Sequence, residues 1–176
     1  MAFTPEVYPM TDQIFYRALR PSWAFAPLSG KGAAVNGGRW NAKGQSALYL
    51  AGDPMTALAE YNQDLLFRPV TLAQYLIKDA TLADLLSLDL VTDYPIDDAA
   101  INCDWYRLSL ERKEVPTWTI AGELAAKGFE GISYPSRING APCVCLWRWN
   151  EPDHCAVTVT DIDGRLPQDN RSWPTL

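Results

Sequence analysis

The chain has 176 residues, of which 48% are hydrophobic and 20% are charged, a length and composition typical of one globular domain with a single core. Its 15 basic and 21 acidic residues give a formal net charge of −6. That charge argues against a general nucleic-acid or membrane-surface binder, which needs a positive field, but it does not exclude a small local pocket for phosphates.

The first part of the chain predicts two strands and one helix around a glycine-rich stretch. The segment IFYRALR (14–20) is short and partly aromatic, which is typical of a strand. LSGKGAAVNGGRWNAKG (28–44) contains five glycines and is either a plain connector or a cradle for an anionic ligand. SALYLAG (46–52) predicts a second strand, and the pair Asp53–Pro54 predicts the start of a helix in DPMTALAEYNQDLLF.

The rest of the chain predicts further strands and helices. A strand through Leu76 comes first, followed by a turn, by another strand or helical piece before residue 89, and by loop and short helix over 93–114. A helix follows in TWTIAGELAAKGFEG and ends at Gly128. Two strands then flank Asn139–Gly140, and a last strand lies in CAVTVTDIDG (155–164). Asn-Gly between two apolar runs is a strong hairpin signal. Together these elements predict one α+β domain over residues 1–176 with a mixed, mostly antiparallel sheet.

The sequence shows neither a membrane span nor a secretory signal. No apolar run is long enough to cross a bilayer, and MAFTPEVYPMTDQ has neither a basic nor an apolar region. The four cysteines are too few for a disulfide scaffold, so we expect a cytoplasmic protein. Cys143, Cys145, His154 and Cys155 are potential zinc ligands, but the Cys-x-Cys spacing in an apolar strand favours buried core cysteines.

The glycine-rich stretch contains the parts of a phosphate cradle. Backbone N–H groups approach a phosphate closely where residues are glycine, and arginine or lysine assists them. The stretch matches neither the Walker pattern nor the dinucleotide fingerprint, so a plain turn is the alternative. Its candidate residues are Gly30, Lys31, Gly32, Gly37, Gly38 and Arg39, and Trp40 is a candidate to flank a ring or a phosphate.

Three further residues have ordinary structural interpretations when each is taken alone. Glu60 lies off the apolar stripe predicted for its helix, which favours a solvated surface glutamate. Tyr49 on a strand is typical of a core aromatic with a satisfied hydroxyl, and Ser136 is typical of a turn. The stripe that defines the predicted buried face consists of Met55, Leu58, Ala59, Leu65 and Leu66.

A resemblance to a known family connects these separate residues. LSGKGAAVNGGRWNAKG, followed by ALYLA and TALAE, resembles the RES-domain family, which are toxins of bacterial toxin–antitoxin pairs. FYRAL upstream, with GFEGISYPSR and CVCLW downstream, extends the match from about residue 14 to about residue 152. The resemblance implies a fold like that of the ADP-ribosyltransferases and an NAD⁺-consuming activity. It also implies a cognate Xre-like antitoxin, which has a helix-turn-helix domain and covers the active site.

The same resemblance implies site residues on separate elements. Carried over by motif, they are Arg39 of GGRWN, Glu60 of TALAE, Ser136 of YPSR, Tyr49 of LYLA and Arg17 of FYR, with Lys31 and Trp40 beside them. Ser133 is the alternative to Ser136, because the match varies most around these two serines. The segment 93–114 matches poorly, and no residue is carried over from it.

The chemistry of NAD⁺ cleavage suits these residue types. Breaking the nicotinamide–ribose bond develops positive charge on the ribose, which the Glu60 carboxylate would stabilise in the transition state. Arg39 and Arg17 would hold the pyrophosphate by bidentate hydrogen bonds. Tyr49 would stack on nicotinamide, and Ser136 would orient Glu60 or the ribose. NAD⁺ is then a substrate, and neither a cofactor nor a metal is expected.

Three functions stay open from the sequence. They are hydrolysis or phosphorolysis of NAD⁺ by a toxin, transfer of ADP-ribose to a target protein, and non-catalytic binding of a partner by the glycine-rich stretch. The joint presence of arginine, tyrosine, glutamate and serine at motif positions argues against the last. The expected partners are the antitoxin, NAD⁺ and, in the second case, a protein target, without nucleic acid or membrane.

Overall fold

One seven-stranded sheet forms the centre of the computed structural model, which describes residues 12–63, 68–86 and 96–171. Its strands are β1 (Gln13–Leu19), β2 (Leu48–Ala51), β3 (Thr71–Lys78), β4 (Leu82–Asp84), β5 (Gly131–Pro135), β6 (Pro142–Leu146) and β7 (Ala156–Thr160). Their order in the sheet is β4-β5-β6-β2-β1-β3-β7. Within these residues β4 and β5 pair in parallel and the other five pairings are antiparallel. The predicted α+β class with a mixed, mostly antiparallel sheet is confirmed.

Five α-helices accompany the sheet within the described residues. They are α1 (Lys31–Asn36), α2 (Pro54–Tyr61), α3 (Asp98–Ile101), α4 (Trp105–Leu110) and α5 (Pro116–Ala126), and a short 3-10 helix spans Pro21–Trp23. The predicted helix stop is confirmed at Gly128, whose φ of +96° lies in the region that favours glycine. The predicted mixture of loop and short helix over 93–114 is confirmed from residue 96 onward. None of these helices is long and apolar enough to cross a membrane.

Helix α2 begins where the sequence predicts, because Asp53 caps its first turn. The Asp53 carboxylate accepts hydrogen bonds from the Thr56 N–H at 2.8 Å and from the Thr56 hydroxyl at 2.6 Å. These bonds lower the pKa of Asp53, the hydroxyl bond having the larger effect. Residues 64–67 of the predicted helix lie outside the described residues.

The predicted apolar stripe of α2 is wrong. Met55 is 71% exposed, whereas Thr56 and Ala57 are buried. Thr56 tolerates burial because Asp53 and, across the fold, Asn139 satisfy its hydroxyl. The helix therefore turns a partly polar face toward the protein, and Glu60 lies on that side, one turn after Thr56. Leu65 and Leu66 lie outside the described residues.

The central strands alternate their side chains between two apolar layers. On β6, Cys143 and Cys145 pack in the layer that contains Ala121 and Leu124 of α5, and Val144 packs in the opposite layer. Burial comes first among the causes that raise the pKa of Cys143, to about 12, so this cysteine is a neutral thiol at physiological pH.

The predicted hairpin of β5 and β6 is present, but six residues, 136–141, connect its strands. Gly140, at φ +75°, donates its N–H to the Ser136 carbonyl at 2.9 Å. The Ser136 N–H donates to the Ala141 carbonyl at 2.8 Å. The Asn139–Gly140 pair thus helps to close a longer loop, which we call the Ser136 loop (136–141).

A buried carboxylate joins three chain segments at the opposite end of β5. Glu130, which is 5% exposed, accepts hydrogen bonds from the Thr81 and Cys155 N–H groups at 2.7 Å each. Its Oε1 also lies 3.0 Å from Nδ1 of His154. His154 thus has a carboxylate partner, and no three His, Cys, Asp or Glu side chains among residues 12–63, 68–86 and 96–171 lie together as a metal site.

Candidate functional site

A cavity of about 460 Å³ lies where β1, the glycine-rich stretch, β2, α2 and the Ser136 loop meet. Four side chains predicted for the site line it, together with the candidate glycines Gly32, Gly37 and Gly38; the four are Arg17, Arg39, Tyr49 and Glu60. These residues come from well-separated parts of the chain, and the sheet order brings them together by placing β1 beside β2. A second cavity of about 220 Å³ shares Arg39 with the first and is also lined by Ser136.

Glu60 is fixed by a hydrogen bond from a residue 76 positions away. The Ser136 hydroxyl donates to Glu60 Oε1 at 2.6 Å, and the Gln63 side-chain amide donates to Oε2 at 2.6 Å. Ser133 instead donates its hydroxyl hydrogen to the Asp84 carboxylate on β4 at 2.6 Å. Of the two candidate serines, Ser136 is the one that contacts Glu60.

Arg39 is buried in the wall between the two cavities, with 8% of its surface exposed. Its guanidinium donates to the carbonyls of Pro135 at 3.3 Å and Ile101 at 3.0 Å, and it stacks over the rings of Trp40 and Tyr134. Burial lowers the pKa of Arg39. The Nε–H has no protein partner and is itself shielded from solvent, and an unsatisfied buried donor of this kind costs about 1–3 kcal/mol.

Arg17 holds the chain that enters the glycine-rich stretch. Its Nη1 donates to the carbonyls of Pro27 at 3.0 Å and Ser29 at 3.2 Å, and the Tyr75 hydroxyl donates to the same Pro27 carbonyl at 2.9 Å. Burial lowers the pKa of Arg17. The arginine therefore shapes one side of the cavity and also lines it.

Tyr49 presents its ring to the cavity while its hydroxyl is occupied. The hydroxyl donates to Asn41 Oδ1 at 2.7 Å and accepts from the Trp40 N–H at 2.9 Å. Burial is the largest cause that raises the pKa of Tyr49 well above its ordinary value, so the phenol stays neutral. Gly38 packs directly on this hydroxyl, and any Cβ there would clash with it.

The expectation that the glycine-rich stretch is a flexible cradle of free N–H groups is wrong at Gly37 and Gly38. The N–H groups of Gly37, Gly38 and Trp40 donate to the Ala33 carbonyl, the Asn41 carbonyl and the Tyr49 hydroxyl. Part of the stretch is the helix α1. The glycines permit tight packing and, at Gly37, a φ of +73°.

Two tryptophan side chains hold this stretch from the core side. Trp118 donates its indole N–H to the Gly38 carbonyl at 2.7 Å, and Trp147 donates to the Trp40 carbonyl at 2.8 Å. Such bonds fix the backbone on both sides of Arg39. This part of the stretch therefore fixes the position of the Arg39 side chain.

Two residues predicted to bind the ligand lie away from the cavity wall. Trp40 is fully buried, and its ring packs on Tyr134 at 5.6 Å between centroids, because a large apolar ring is most stable in the core. The structure thus corrects its prediction as a flanking ring. Lys31 is exposed at the start of α1, where its neighbour Gly32 lines the cavity instead.

Several cavity residues escaped the sequence prediction, among them Gln63, Trp105 and Arg137. Trp105 belongs to the segment 93–114, where no motif indicated a role. Arg137 directly follows the motif serine in YPSR, which is the one available signal, and it donates to the carbonyls of Cys103 and Asn102. These contacts join α3, α4 and the Ser136 loop at the cavity rim.

The fold and the site define a small α+β domain whose cavity combines Arg17 and Arg39 with a carboxylate that Ser136 binds. The sequence profile of the RES domain matches residues 14–169, and the chain belongs to the RES domain family. That one domain extends over residues 1–176 stays a prediction.

One solved structure shows the same fold at low sequence identity. A chain from the crystal structure of the M. tuberculosis MbcT–MbcA toxin–antitoxin complex superposes with a TM-score of 0.63 and 17% identity. The alignment covers 88% of the present chain and 86% of that chain. No curated protein matches the sequence significantly.

Proposed function

We propose that the protein is the toxin of a bacterial toxin–antitoxin pair and that it cleaves the nicotinamide–ribosyl bond of NAD⁺ by hydrolysis or phosphorolysis. The observation that carries the proposal is the Glu60 carboxylate, bound by Ser136 at 2.6 Å, in a cavity that Arg17 and Arg39 also line. Membership of the RES family and the fold shared with a toxin–antitoxin complex support it.

In the proposed reaction Glu60 stabilises the positive charge that develops on the ribose as neutral nicotinamide leaves. Ser136 fixes one carboxylate oxygen, so the charge is oriented before the substrate binds. Arg17 and Arg39, which both line the cavity, attract the pyrophosphate by their positive charge, and the Tyr49 ring offers a stacking surface for nicotinamide. NAD⁺ acts as a substrate and no metal takes part.

The second candidate is transfer of ADP-ribose from NAD⁺ to a protein side chain. The same carboxylate and arginines serve both reactions, because the bond that breaks is the same. Incubation of the purified protein with NAD⁺ and a nicotinamide assay tests cleavage. NAD⁺ labelled in the adenylate half, added with cell lysate, then separates the two: label on protein supports transfer, and label on free ADP-ribose or its phosphate supports the first proposal.

Expression of the chain alone in bacteria should stop growth and lower cellular NAD⁺, because we propose that the enzyme acts on the cytoplasmic pool. Co-expression with an Xre-like helix-turn-helix antitoxin, which we propose covers the cavity, should restore growth. Growth curves and NAD⁺ levels are the measurements. Arrest with unchanged NAD⁺ would favour protein modification, and normal growth at high expression would contradict both candidates.

A leucine at position 32 should obstruct the cavity. An added Cβ at Gly32 meets no atom within 4 Å, and Gly32 lines the cavity. Gly32→Leu should therefore fold normally and raise the KM for NAD⁺ roughly tenfold, equivalent to about 1.4 kcal/mol of lost binding. Gly122→Leu is the matched control, since Gly122 is also helical and open but does not line the cavity. Equal kinetics for both variants would place the substrate elsewhere.

A further inference from the structure

Asn139 attaches the Ser136 loop to α2 at a second point. Its Nδ2 donates to the Thr56 hydroxyl oxygen at 2.9 Å, and its Oδ1 accepts from the Ala141 N–H at 3.1 Å. Thr56 is fully buried and passes its own hydroxyl hydrogen to Asp53 at 2.6 Å. One amide therefore holds the shape of the loop and joins the loop to the helix.

The two attachments lie along one face of α2. Thr56 and Glu60 are four residues apart in a helix, so their side chains lie one turn apart on the same side. Asn139 contacts the first and Ser136 the second, and the Ser136 hydroxyl also accepts from the Ile138 N–H at 3.1 Å. A shift of the loop along the helix breaks both contacts together.

We propose that Asn139 and Thr56 are positioning residues, which fix the direction of the Glu60 carboxylate through Ser136. The inference rests on the proposed function, in which Glu60 acts on charge that exists only in the transition state. Neither Asn139 nor Thr56 lines the cavity. Loss of their contact therefore acts mainly on kcat and much less on KM, because neither side chain reaches the cavity.

Two substitutions remove this contact from opposite ends. Asn139→Asp keeps an oxygen for the Ala141 N–H but removes the amide donor, and Thr56→Val keeps the side-chain volume but removes the hydroxyl. Each should lower kcat for nicotinamide release by roughly ten- to a hundredfold, as expected for a catalytic group displaced by about 1 Å. Thr56→Ser restores the hydroxyl and should restore kcat. Unchanged kcat in both Asn139→Asp and Thr56→Val would overturn the proposal.

A double-mutant cycle separates positioning from general stabilisation. If Asn139 acts through Ser136, then Asn139→Asp should change kcat little when Ser136 is already alanine. A merely structural role would instead give the same loss of thermal stability in both backgrounds and independent, additive losses in kcat. Additive losses would overturn the proposal.

Amide hydrogen exchange tests the attachment without any turnover. The Gly140 and Ala141 N–H groups are hydrogen-bonded inside the Ser136 loop, so both should exchange faster in Thr56→Val than in the wild-type protein or Thr56→Ser. Unchanged exchange would overturn the attachment. If the wild-type protein releases no nicotinamide, the proposed function fails, and the exchange result still decides whether Asn139 and Thr56 hold the loop.

Discussion

Glu60→Gln should abolish most nicotinamide release while the protein stays folded. The substitution keeps the shape of the side chain and an oxygen for the Ser136 hydroxyl, but it removes the negative charge that we propose faces the ribose. Loss of one electrostatic partner in the transition state typically costs on the order of 10²–10³ in rate. Saturation kinetics with NAD⁺ should show this loss in kcat, and thermal unfolding should show little change.

Glu123→Gln is the matched control for this experiment. Glu123 lies exposed on α5, does not line the cavity, and loses the same charge. The Glu123→Gln variant should keep the wild-type kcat and KM, which would show that a change in net charge alone does not lower the rate. Full turnover by Glu60→Gln would remove the proposed role of this carboxylate, whatever the rest of the site does.

The arginines should affect binding rather than the chemical step. If Arg39 and Arg17 hold the pyrophosphate, the contact is equal in the ground state and the transition state, so its loss raises KM. A charged hydrogen bond contributes roughly 1.5–3 kcal/mol, and each alanine variant should therefore raise KM about ten- to a hundredfold. Arg39→Lys should recover only part, because an ammonium lacks the planar fork of the guanidinium.

Nicotinamide mononucleotide provides the control for the arginine experiment, since it lacks the pyrophosphate and the adenylate half. It should be a poor substrate, and Arg39→Ala should process it about as well as the wild-type protein does. Arg39→Ala also leaves the Pro135 and Ile101 carbonyls without this donor, so thermal unfolding must accompany the kinetics. A severe fall in kcat at unchanged KM would place Arg39 at the ribosyl centre instead.

Local signals predicted the boundaries of the elements well. The cap at Asp53 and the stop at Gly128 depend on residues within a few positions, so the sequence contains all the information they need. The predicted buried face of α2 is wrong because burial there depends on a residue that is distant in the sequence. The buried Thr56 hydroxyl accepts a hydrogen bond from Asn139, which lies 83 residues later. The periodicity of the helix sequence does not indicate that bond.

In the candidate site too, local motifs predict some features and tertiary contacts decide the others. The family motifs indicated Arg17, Arg39, Tyr49 and Glu60, and all four line one cavity. The expected N–H cradle lacks two of its donors, because hydrogen bonds inside the fold use the N–H groups of Gly37 and Gly38. The tertiary packing decides which acceptor each backbone N–H group binds. The number of glycines alone therefore indicates a mobile segment where the structure shows a tightly packed one.

The sheet order has a consequence for synthesis on the ribosome. β2 pairs on one side with β1, an early partner, but on the other side with β6, and Ser136 lies just before β6. A growing chain therefore displays Glu60 for the time needed to add the 76 residues up to Ser136, roughly 4–15 s at ordinary rates of synthesis. During that interval the edge of β2 is unpaired and the carboxylate lacks its serine. Only a chain that extends past the Ser136 loop and β6 can assemble the complete site, which delays any activity until those residues have been made.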